Sequence, residues 1–85
     1  MEQQALKLGA TALQRSWRKN KKIAVFYNGR WIHAGDIRYD DYSTHGDDER
    51  RESYRRRHEA IRLADGRQAY KVKEQPAYWA YHLLW

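Results

Sequence analysis

The stretch that decides the fold is IAVFYNGRWIH, residues 23–33. Asn28-Gly29 stands between two runs of β-forming residues. Both central residues of a type I′ turn need positive φ, which Asn and Gly tolerate best. A two-residue loop here pairs Tyr27 with Arg30, Phe26 with Trp31 and Val25 with Ile32. The two-residue period then puts Phe26 and Trp31 on one face, and Ile23, Val25 and Ile32 on the other. Both faces carry apolar groups, and a lone hairpin is marginal in water. Another element must cover it.

Toward the N-terminus, residues 1–20 read as a helix. Leu6, Ala10, Leu13 and Trp17 form one narrow apolar stripe, which Gly9 weakens. RSWRKNKK, residues 15–22, then supplies five basic side chains, either as a solvated linker or as an arm lying on a polyanion or a neighbouring subunit. This divides the chain into a helical, basic arm over 1–22 and a single small domain over 23–85.

Toward the C-terminus, Ala34-Gly35-Asp36 ends the second strand, and an irregular connection carrying Tyr39 and Tyr42 leads to Gly46. A second helix is predicted from Asp47 to Ala64. Asp47, Asp48 and Glu49 sit in its first turn, where the helix dipole favours negative charge, and Asp65-Gly66 provides the stop signal. Its apolar stripe is thin, consisting of Tyr54, His58 and Ile61. The i,i+4 pairs Asp47–Arg51, Glu52–Arg56 and Arg55–Glu59 satisfy part of its charge, leaving an excess of arginine. Ala69–Lys73 alternates like a short strand. PAYWAYHLLW, residues 76–85, is too apolar to remain in water and must dock on its own fold or on a neighbour. The expected class is α+β: a small β-hairpin packed against an arginine-rich helix, with an N-terminal helical arm and an aromatic C-terminal tail.

Composition bounds the function. A chain of 85 residues has a small core that often needs a staple or a partner. The absence of cysteine excludes disulfides and thiolate metal sites. Seven Tyr and four Trp against one Phe supply rings with an apolar body and a polar handle, which suit interfaces. A net charge of +6 attracts polyanions. No run approaches the ~20 apolar residues of a spanning helix. The start, MEQQALKLGATALQ, lacks the basic and apolar regions of a signal peptide, so synthesis in the cytoplasm is expected.

His33, His45, His58 and His82 show no close ligand spacing, so separate structural roles and no metal are expected. No phosphate-binding glycine loop or triad motif occurs, and the reading is a non-enzyme without cofactor. Leu6, Leu13 and Trp17 at one end, with Tyr78, Trp79, Tyr81 and Trp85 at the other, are the candidate partner-binding residues. Arg18, Lys19, Lys21, Lys22, Arg51, Arg55 and Arg56 are the candidate nucleic-acid contacts. The acids at 40–41 and 47–49 oppose phosphate at the start of the arginine helix.

Several motifs lie between Arg18 and Trp85. They are Lys21-Lys22, Ile32-His33-Ala34-Gly35-Asp36 and Arg38-Tyr39-Asp40-Asp41-Tyr42, followed by His45, Asp47, Arg50, Tyr54, Arg57-His58 and a final Leu84-Trp85. In these the chain resembles a family of small proteins encoded by bacteriophages and large DNA viruses. Ala34 replaces a usual Phe, and Ser43 stands where Thr is common. The resemblance implies a virion component, made in the host cytoplasm and bound to capsid proteins or to copies of itself. A minor capsid or cement role is the leading expectation. A nonspecific nucleic-acid-binding or host-takeover protein is the alternative. His33, Asp36, Arg38, Tyr39, Tyr42, His45, Tyr54, Arg57 and His58 are expected to form one polar network. In it Asp36 pairs with Arg38 or Arg57, above Tyr42 and Tyr54.

Overall fold

The computed structural model describes residues 1–85. Its elements are α1 (Glu2–Lys7), β1 (Ala12–Arg15), β2 (Ile23–Tyr27), β3 (Arg30–Ala34), a single-turn α2 (Tyr42–His45), α3 (Asp48–Glu59) and α4 (Pro76–Trp79). A 3₁₀ turn over Ala69–Lys71 precedes α4, and α4 widens into a π-helical turn over Ala80–Leu84. The class is α+β.

The hairpin forms in the expected register, with Tyr27 opposite Arg30, Phe26 opposite Trp31 and Val25 opposite Ile32. Asn28 and Gly29 both adopt positive φ, 52° and 82°, as a type I′ turn requires. The sheet has a third strand, because residues 1–20 are not one helix. α1 ends at Lys7, Gly9 turns the chain at φ 107°, and β1 runs antiparallel to β2 with Leu13 opposite Val25. Ala-Leu-Gln-Arg has little β-propensity; pairing with the free edge of β2 overrides it. The division at residues 22 and 23 therefore falls inside a sheet. Residues 1–22 are part of the domain, and Ala5 and Ala10 belong to its core.

One face of the sheet meets the C-terminal helix. Ile23, Val25, Ile32 and Ala34 pack with Tyr78, Trp79, Ala80, Leu83 and Leu84, and Trp79 and Val25 are fully buried. The Trp79 indole donates to the Lys73 carbonyl at 2.7 Å, which satisfies its one polar atom. Pro76 occupies the first turn of α4, where a missing N–H does no harm. Close approach depends on Gly35. At φ 80° its Cβ would stand 2.6 Å from Leu84 Cδ1 and 3.1 Å from Lys22 Cβ. The aromatic tail thus docks on its own fold and covers the hairpin. Tyr78, Trp79 and Tyr81 are core residues and are not available for gripping a partner.

α3 begins where expected. Asp47 accepts from the N–H groups of Glu49 and Arg50 at 3.0 and 3.2 Å, the usual N-cap arrangement. It ends at Glu59 rather than Ala64, because Gln68 Nε2 donates to the Glu59 carbonyl at 2.9 Å and Arg62 bridges to Gln68. Asp65-Gly66 is the turn of that small excursion, with Gly66 at φ 89°, and not the helix stop. Ala69–Lys73 is not a strand. The Lys71 N–H bonds back to the Gln68 carbonyl at 3.0 Å and closes the 3₁₀ turn.

Candidate functional site

The connection between β3 and α3 is anchored by Asp41, which is 3% exposed. Its carbonyl accepts from the N–H groups of Thr44 and His45 and so opens α2. Its carboxylate accepts from Ser43 Oγ and forms an ion pair with Lys22 Nζ. Lys22 also donates its N–H to the Ala34 carbonyl at 3.2 Å, so this pair ties the connection to the base of the hairpin. Lys22 is therefore committed internally and is not a free nucleic-acid contact.

Asp36 pairs with Arg38 and not with Arg57. Its Oδ1 accepts from the Arg38 N–H and Nε at 2.9 and 3.0 Å, and its Oδ2 from Nη2 at 2.7 Å. These bonds hold the Asp36 carboxyl down to about 2. The pair lies at the surface, as does Tyr39, which is 70% exposed. His33 leaves the expected network altogether. It is buried on the far side of the sheet, with Nδ1 2.8 Å from Ser16 Oγ and its ring edge-on to Trp17. Burial, then the charges of Arg18 and Lys21, lower its pKa.

The remaining network residues lie on α2 (Tyr42, His45) and α3 (Tyr54, Arg57, His58), and Tyr54 and His45 pack on Trp85. Tyr54 stacks on His58, with centroids 3.9 Å apart, and on Trp85 at 4.1 Å with the planes 6° apart. Burial, and then the charge of Asp41, push the Tyr54 phenol up to about 12. Burial and then Arg57 lower the pKa of His58, whose Nδ1 has no protein partner. His45 Nδ1 accepts from the Asp47 N–H at 2.8 Å, and its ring rests 5.3 Å from that of Trp85. The Tyr42 hydroxyl donates to Asp48 at 2.9 Å, with the Arg51 guanidinium 4.4 Å above its ring. Tyr42 and Tyr54 thus pack against α3 and Trp85, away from the Asp36–Arg38 pair.

Two arginines close this arrangement. Arg51 Nε and Arg55 Nη2 donate to the Trp85 carbonyl at 2.6 and 3.0 Å, where the last carbonyls of a helix need donors. Arg55 also lies over Tyr81, whose hydroxyl donates to Glu59 at 2.6 Å. Arg56 pairs with Glu52 at 2.7 Å in solvent. Of the basic residues singled out in the sequence, Arg18, Lys19 and Lys21 remain exposed and without an ion pair.

Between the connection, α3 and the C-terminal helix lies a cleft of about 510 Å³. Most of the motif positions converge on it: Gly35, Asp36, Tyr39, Asp41, Arg50, Tyr54, Arg57 and His58 all line its walls, with Lys21 and Trp85. Asp36 and Asp41 are neutralised by Arg38 and Lys22, whereas Lys21, Arg50 and Arg57 form no ion pair and outnumber the one unpaired lining acid, Asp40. The cleft is therefore suited to carboxylates or phosphates through charge-assisted hydrogen bonds. Tyr42 and His45 flank it on the Trp85 side. Among the candidate partner-binding residues outside the core, Leu6 and Trp17 are exposed, Leu13 is half-buried against the core, and Trp85 is docked on α3.

Sequence reasoning missed the roles of Asp41 and Arg50. Nothing local separates Asp41 from Asp40, or Arg50 from its neighbours in the arginine run. The sequence model of one family, described as a family of unknown function (DUF5754), matches residues 11–58, more than half the chain. The match takes in the sheet, the connection and most of α3, and stops before the helix that completes the core. No curated protein and no solved structure matches the chain.

Proposed function

The chain belongs to DUF5754, a family of unknown function, and we propose that it is a virion structural protein, a minor capsid or cement component. It binds neighbouring shell proteins or copies of itself and performs no catalysis. The carrying observation is the cleft. Most of the positions that carry the resemblance to small viral proteins line one junction, where Lys21, Arg50 and Arg57 are exposed and unpaired. An acidic segment of a shell protein complements these groups. The internal ties at Asp41–Lys22 and at Trp85 keep the cleft preorganised, which lowers the ordering cost of binding.

The test is mass spectrometry of purified particles from infected cells. A fixed copy number per particle is expected, and particles free of the protein would overturn the reading. The second reading, a nucleic-acid-binding or host-takeover protein outside the particle, draws support from exposed Arg18, Lys19 and Lys21. It predicts absence from particles together with DNA affinity that falls steeply with salt.

A further inference from the structure

The sheet face turned away from the core carries Ala24, Phe26, Trp31 and His33, by the pairing that sets Val25 and Ile32 inward. No helix covers it. Ala24 and His33 are buried on this face, and Trp17, in the loop after β1, lies over it, its ring meeting Trp31 edge-on at 5.1 Å and His33 edge-on at 4.7 Å. Phe26 continues the cluster, 5.0 Å from Trp31. Trp17 is 59% exposed, whereas Trp79 is fully buried. The fold therefore holds one indole in a fixed orientation and leaves most of it in water. One exposed indole backed by the half-buried rings of Trp31 and Phe26 makes an aromatic patch at the surface.

Charge selects the partner. From Gln3 to Gly35 the chain contains no acidic residue, and it contains Lys7, Arg15, Arg18, Lys19, Lys21, Lys22 and Arg30. A groove of about 560 Å³ beside Trp17 is lined by Arg15, Arg18, Lys19 and Lys21. A ligand that fits must carry repeated negative charge and flat apolar rings at short spacing. Bases stack on exposed aromatics while phosphates follow a basic groove, and this combination binds single strands with little regard to sequence.

We propose that Trp17, Trp31 and Phe26, with the loop cations Arg18, Lys19 and Lys21, form a stacking platform for single-stranded nucleic acid. The platform lies on the opposite side of the sheet from the core and borders the cleft, with which it shares Lys21. It does not depend on the virion reading.

The experiment is fluorescence anisotropy of a labelled oligothymidylate of about 20 nucleotides, which exceeds one binding site, titrated with the intact protein over a range of salt. Trp17→Ala should weaken binding about tenfold, the loss of one stacked base, with the salt slope unchanged. Trp17→Phe should recover most of that loss. Replacing Arg18, Lys19 and Lys21 together by Ala should flatten the log–log salt slope by about 2. Thermal melting checks folding, and Trp17→Leu, which still covers His33 but offers no stacking plane, replaces the Ala variant if that one unfolds. Equal affinity of folded Trp17 variants and wild type would overturn the proposal. Equal affinity for duplex DNA would overturn it too, as would binding only to phosphatidylserine vesicles. Salt-dependent DNA affinity is also expected under the second reading above, and the particle composition, measured separately, decides between the two readings.

Discussion

The C-terminal segment is held from two sides by opposite chemistry. On the sheet side, Trp79 and Leu84 press into Ile23, Val25, Ile32 and Ala34, with a single polar atom, the Trp79 indole nitrogen, to satisfy. On the α3 side no helix residue is buried. The contact there is a ring stack of His58, Tyr54 and Trp85, with Arg51 and Arg55 on the Trp85 carbonyl. The first side derives its strength from apolar area and tolerates exchange among shapes of similar volume. The second depends on a few directed contacts and is sensitive to particular atoms. A small domain can thus put its stability in one layer and its motif residues in another.

Mutations on each side test this division. Trp79→Ala should cost about 3–5 kcal/mol, because it opens a cavity in the only apolar layer. That is a large share of the stability of a small domain, and urea denaturation followed by far-UV circular dichroism should show it unfolded or nearly so. Asp41→Ala should cost about 2–3 kcal/mol by the same measurement. It strands Lys22, whose side chain is 19% exposed, a case short of a fully buried broken pair. Asp41→Asn should recover part, since it keeps an acceptor for Ser43. Arg51→Met, which retains the aliphatic body over Tyr42, should cost about 1–2 kcal/mol for the lost charged hydrogen bond. Quenching of Trp85 fluorescence should rise in that variant if the stack loosens.

The smallest effect belongs to the Asp36–Arg38 pair. A carboxyl held down to about 2 contributes stability above its ordinary value of 3.8, and that contribution is lost as pH falls from there toward 2. At neutral pH, Asp36→Ala should leave the melting temperature nearly unchanged, since exposed pairs contribute little. NMR titration should place the Asp36 midpoint near 2 in the wild type and back near 3.8 in Arg38→Ala.

What was legible follows the same division. The hairpin register could be read because Asn28-Gly29 and the flanking β-formers act over a few residues. The start of α3 was legible for a similar reason, since Asp47 caps its own neighbours. Its end was not, because Gln68, brought back by the Asp65-Gly66 turn, is what binds the Glu59 carbonyl. β1 was hidden because Ala-Leu-Gln-Arg becomes a strand only through the edge it meets. The aromatic tail announced that it must dock, but whether on its own sheet or a neighbour's is a tertiary fact. At the site, Tyr54, Arg57 and His58 could be grouped from their motif. The structural role of Asp41 is not legible, because burial does not distinguish it from the adjacent Asp40 in the sequence.

The indole of Trp79 rests 5.7 Å from the ring of Tyr27, a residue beside the hairpin turn. The turn closes by local contacts, yet the hairpin has little to bury against until residues 76–84 return to it. Closing that long loop must precede the reward of packing, so this contact is expected to limit the folding rate. Sharpening the Asn28-Gly29 turn should therefore leave the refolding rate nearly unchanged.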